Sequence, residues 1–141
     1  MATNASETAL HLWRSKTVDA FARAELTVDV LVQKLNAPVK VNMISAKIDA
    51  VRKAKPNAAI TEDRKKKIDQ TLDDLTGLLC LRNDIVHAPI IIELIGESAV
   101  ATFANPNLQC SFSSYKRTIH APRLQALAAK VLHLAKTLEG C

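Results

Sequence analysis

The chain has 141 residues, 48% of them hydrophobic and 23% charged, so it can bury a core without a metal or a disulfide framework and has the balance of an ordinary globular protein. Aromatic residues make up only 4%, which argues against a stacking platform for single-stranded nucleic acid. The net charge of +5 permits attraction to an anionic partner without identifying one.

From Ser6 to about Leu35, apolar residues recur at helical spacing (Leu10, Trp13, Phe21, Val28, Leu31, Leu35), which predicts a long amphipathic helix ended near Asn36 and Pro38. A shorter helix is expected from about Asn42 to Lys55, with Ile44, Ile48 and Val51 on one face, before Pro56-Asn57. Thr61 is a natural N-cap, with Glu62 and Asp63 suited to the helix dipole, and a third helix is expected from there to about His87. IIIELIGESAVATFAN is rich in β-branched residues around Gly96-Glu97-Ser98 and reads as a β-hairpin; CSFSSYKRTI could add a third strand. Pro122 fits the first turn of a closing helix to about Leu138, with Leu124, Leu127, Val131, Leu134 and Leu138 inside. The expected architecture is one mainly α domain over residues 1–141, a four- to five-helix bundle with a small β insertion at about residues 90–119 before the last helix.

MATNASETAL lacks the basic start and apolar run of a signal peptide, and no apolar run approaches the roughly 18 residues needed to span a bilayer. The expectation is a cytoplasmic protein without a membrane partner. Cys80, Cys110 and Cys141 form an odd set without Cys-x-x-Cys spacing, suggesting neither a disulfide framework nor a zinc site; Cys80 reads as a small core residue.

The stretch LRNDIVHAP, residues 81–89, interrupts this apolar patterning. On a continuous third helix Ile68, Leu72, Leu75, Leu79 and Val86 share one side, Arg82 falls within that apolar arc, and Asn83 and His87 lie one turn apart at its polar border. A desolvated guanidinium needs a partner. Arg82 either snorkels at a frayed helix end or pairs with a carboxylate such as Glu25 or Asp29. His87 then reads as a histidine favoured by the helix dipole, and Asn83 as a surface amide.

The string Arg82-Asn83-Asp84-Ile85-Val86-His87 resembles the motif of the HEPN domain family: Arg and His separated by four to six residues, the first of them polar and often Asn. The element order is also similar to that family's helical bundles, in which the motif ends the third helix. The resemblance implies a metal-independent endoribonuclease, without a cofactor, that works as a homodimer on RNA, with Arg82 and His87 catalytic and Asn83 orienting the site. It also implies a small toxin or phage-defence component, with an antitoxin or regulatory protein as partner. Attack of a ribose 2′-OH on its own phosphate calls for a base and an acid near neutral pH, which histidine supplies, and arginine can grip the phosphate. The products would be a 2′,3′-cyclic phosphate and a 5′-hydroxyl. Arg82 and His87 are five residues apart, about 140° around an ideal helix, so a site composed by two chains about a twofold axis is favoured over one within a chain. Other members of the family are silent dimerisation or binding modules, and an unrelated helical scaffold is the third alternative.

Arg64, Lys65, Lys66 and Lys67 open the third helix as a basic run, either a solvated face or a phosphate contact for RNA; Lys116 and Arg117 are similar secondary candidates. His11, His120 and His133 lie in separate elements, so no metal site is expected. Asp73, Asp74 and Asp84 imitate a carboxylate cluster, but Asp73 and Asp84 are expected on the solvated side of the helix.

Overall fold

The computed structural model describes residues 2–87, 90–95, 98–104 and 116–140. It is mainly helical, with a small three-stranded antiparallel sheet before the last helix. The elements are α1 (Ala2–Lys34), α2 (Ile44–Lys53), α3 (Glu62–Thr76), α4 (Leu79–His87), β1 (Ile90–Ile95), β2 (Ser98–Ala104), β3 (Lys116–His120) and α5 (Ala121–Glu139). They form two compact units, one of residues 1–20 and 80–130, the other of residues 21–79 and 131–141. No single cut in the sequence separates them, because α1 and α5 contribute to both. No helix among the described residues is long and apolar enough to cross a membrane.

In the second unit, α1 stops in a Schellman turn: Asn36 takes a left-handed φ of 50°, Ala37 N–H donates to Val32 O, and Asn36 N–H donates to Gln33 O. Asparagine tolerates that backbone where most side chains do not. Asn57 then ties the α2–α3 connection to this helix end, donating from Nδ2 to Lys34 O at 2.9 Å and accepting at Oδ1 from the Ala59 and Ile60 amides. Thr61 caps α3 as expected, accepting from Arg64 N–H. Phe21, Val28, Leu31, Ile48, Val51, Ile60, Ile68, Leu72, Leu75, Val131, Leu134 and Leu138 are buried here.

The third helix is not continuous. α3 ends at Thr76, Leu78 N–H bonds back to Leu75 O in a tightened turn, and α4 starts afresh at Leu79. Gly77, with the weakest helix propensity after proline, lies at the break, and Thr76 Oγ1 donates to Leu72 O at 2.7 Å, a back-bond that bends helices.

In the first unit the strands follow the order β1-β2-β3, with Ile95 opposite Ser98 and Val100 opposite His120. The hairpin and the third strand are therefore present. Gly96-Glu97 and residues 110–115 of the expected third strand lie outside the described residues. Central strand β2 is buried on both faces, from Ala99 to Phe103. α5 follows β3 directly, and every apolar position expected to face inward along it is buried.

Candidate functional site

α4 carries Arg82 and Asn83 and closes on His87. The break at Gly77 changes how these residues face. The buried side of α4 is Asp84 and Ile85, both 0% exposed, whereas Arg82, Asn83 and Val86 are half-buried. Arg82 is thus not on the buried side of α4, and the expectation that it continues one apolar stripe fails with the continuous helix on which it rested. Asp84, expected on the solvated side, is fully buried, and its carboxylate is engaged rather than isolated.

Arg82 Nη1 donates to Asn83 Oδ1 at 2.8 Å, and Arg82 Nε is shielded from solvent. Asp29, one of the carboxylates considered as a partner for Arg82, instead takes Lys47 Nζ at 2.7 Å. The side chain of His87 lies outside the described residues.

Two further residues meet at the end of α4. Arg14 of α1 donates from Nε to Ile85 O at 3.2 Å, and its guanidinium carbon lies 5.9 Å from the centre of the Phe103 ring. The last four carbonyls of a helix lack donors within it, and Ile85 contributes one of those carbonyls in α4. A cation there also suits the negative end of the helix dipole. One turn along α1, the fully buried Thr17 Oγ1 lies 2.6 Å from Trp13 O and 3.3 Å from Leu124 O, one proton serving two carbonyls. That contact secures the α1 turn bearing Arg14 against the start of α5.

Arg14 had a signal in the sequence. Leu10, Thr17, Phe21, Ala24, Val28, Leu31 and Leu35 recur at spacings of three, four and seven and are all buried; Arg14 is the one charge on that stripe.

The basic run does not act as one surface. Lys65 is only 5% exposed, and its ammonium is saturated by both carboxylate oxygens of Asp69, at 2.9 and 3.0 Å, and by Arg52 O at 3.0 Å. It is withdrawn from the phosphate-contacting set, because all three donors are in use inside the fold. Arg64, Lys66 and Lys67 remain exposed, in the unit that does not contain α4's motif. Lys116 and Arg117 open β3 opposite Ala104 and Phe103, and their side chains lie outside the described residues.

Cys80, in the first turn of α4, is disulfide-bonded, which corrects the reading of it as a simple core thiol. Its partner lies outside the described residues. Pairing depends on the approach of two Cβ atoms in space, which sequence spacing does not disclose. Among the described residues no group of three His, Cys, Asp or Glu side chains is placed to hold a metal ion.

No family model matches the chain, and no curated protein or solved structure is significantly similar to it.

Proposed function

We propose that the protein is a HEPN-type, metal-independent endoribonuclease whose site is composed by two copies of α4 in a homodimer. The observation that carries this reading is the Arg82–Asn83 hydrogen bond on a short helix closed by His87. The Asn83 carbonyl orients the guanidinium, which is the role the motif resemblance assigns to that position. In the reaction Arg82 grips the scissile phosphate and stabilises its developing charge, and His87 moves the proton of the attacking 2′-OH. A toxin or phage-defence role, with an antitoxin or regulatory partner, follows from the same resemblance.

The test is cleavage of RNA by the purified chain in EDTA. Arg82→Ala and His87→Ala are each expected to reduce the rate by about 10²–10⁴-fold, the usual worth of a general acid or base. Equal cleavage by wild type and both variants would point to a contaminating nuclease and sink the reading. A monomer in solution scattering would remove the composite site.

Partial burial of Arg82, with Nε shielded, favours a second reading, a silent HEPN-like dimerisation or binding module in which the motif only supports structure. Folded, dimeric wild type that binds RNA and never cuts it selects that reading. The ribonuclease reading expects a cytoplasmic protein, in which the Cys80 disulfide is not needed for activity. Activity is therefore expected to be the same with and without dithiothreitol; loss on reduction would move the protein to an oxidising compartment.

A further inference from the structure

We propose that Arg14 is a positioning residue for the α4 motif, holding the last turn of that helix, and with it the backbone of His87, from α1. The inference rests on the ribonuclease reading for its effect on rate, and on geometry alone for its effect on α4.

Two elements of the same unit, α4 and β2, meet at this guanidinium. Its Nε–H satisfies the Ile85 carbonyl at 3.2 Å, two residues before His87. The Phe103 ring, 5.9 Å away, is fully buried in the central strand. Thr17 anchors the same stretch of α1 to Leu124. The side chain thus has a fixed base, a wall and an acceptor that is a carbonyl of the motif helix. The sheet that follows α4 acquires a purpose in this arrangement, because β2 supplies the wall.

The arrangement needs arginine. A guanidinium can point an in-plane N–H at a carbonyl while presenting its flat face to a ring; a lysine ammonium is a point donor without a face. Arg14 acts on backbone, so its removal should displace the catalytic group without weakening the grip on RNA. That predicts a fall in kcat with KM unchanged, whereas an arginine contacting phosphate would raise KM.

The experiment compares wild type, Arg14→Gln, Arg14→Lys, Phe103→Leu and the Arg14→Gln/Phe103→Leu double variant of the full chain. It reads kcat and KM on a single-stranded RNA in EDTA, and backbone amide hydrogen exchange at Val86 and His87. For Arg14→Gln, kcat is expected to fall by at least about tenfold, since small misplacements of a reacting group are that costly, with KM within about twofold. Exchange at Val86 and His87 should quicken while amides in the middle of α3 stay protected. Lysine should restore neither property fully, and the double variant should be no worse than Arg14→Gln, because both changes break one device. If the glutamine variant fails to fold, Arg14→Lys, which keeps length and charge, carries the comparison.

Unchanged kcat and exchange in Arg14→Gln would overturn the proposal, and so would a raised KM with kcat retained. If wild type does not cut RNA, the ribonuclease reading has failed by itself, and exchange at Val86 and His87 alone decides whether Arg14 positions α4.

Discussion

In the α2–α3 region, cations meet carboxylates: Lys65 with Asp69, Arg52 with Asp73, and Lys47 with Asp29. Around α4 the bonds of the arginines include neutral oxygens, the Ile85 carbonyl for Arg14 and the Asn83 amide for Arg82. A carboxylate offsets a cation's charge and lets it enter the fold, as it does for Lys65. A hydrogen bond to a neutral oxygen fixes the direction of a guanidinium. The first pattern serves stability, and the second serves geometry at one helix end.

The sharpest way to separate the two regions is to damage each equally. Ile85 and Leu72 are both 0% exposed, so Ile85→Ala and Leu72→Ala should each destabilise by about 2–5 kcal/mol in chemical denaturation. Only Ile85→Ala should also depress RNA cleavage when both variants are assayed well below their melting temperatures, since it loosens the motif helix. Equal residual activity would erase the distinction between the regions.

The ion pair beneath the basic run comes next. Asp69→Ala leaves the buried Lys65 ammonium short of two acceptors and should destabilise by about 1–3 kcal/mol. Lys65→Met removes the charge together with its need for partners and should be close to neutral. Neither change should alter the salt dependence of RNA binding. Replacing the exposed Lys66 and Lys67 by glutamine should flatten that dependence if they contact phosphate, measured by fluorescence anisotropy across a salt series.

Gly77 stands at the junction between the two regions, and its effect should be smaller and opposite in sign. Its backbone is in the ordinary helical region, and an added Cβ would meet nothing closer than Asp74 O at 3.5 Å. Gly77→Ala should therefore stabilise by about 0.4–1 kcal/mol, read from the denaturation midpoint. A loss of stability would mean that the break requires glycine.

The smallest effect belongs to the exposed bidentate pair of Arg23 with Glu139, at 2.7 and 2.8 Å. The hydrogen bond from Arg23 holds the Glu139 carboxyl below its usual value, while the same bond raises Arg23. A depressed carboxylate contributes stability above its unfolded pKa and loses it as pH falls through the folded one. The Arg23 contribution is already complete below that residue's unfolded pKa, so it does not vary across the acid range. The melting-temperature gap between wild type and Glu139→Gln should accordingly be small at neutral pH and close as the solution is acidified. A gap that widened in acid would reverse the assignment.

Much of the fold was legible in the residues. The leucine spacing of α5, the Thr61 cap, the turn at Asn36 and the β-branched run of β1 each rest on neighbours in sequence, where helical and strand periods act. The errors began at Gly77. Treating residues 61–87 as one helix carried a rotation past a point where the chain tightens, and it placed Arg82 on the core stripe and Asp84 in solvent. Arg14 was legible by the same rule of a charge on an apolar stripe, but its acceptor lies 71 residues away and is a backbone carbonyl, which no side-chain pattern announces.

By itself, the sequence determined which segments become helices and strands, and that one short stretch carries Arg82, Asn83 and His87 together, because periodicity, capping and propensity are local. Only the tertiary structure decided that α4 is a separate helix, that Asp84 and Lys65 are buried, and that Arg14 and Phe103 meet at its end. Those outcomes depend on which distant groups come within bonding reach, and that reach is set by packing.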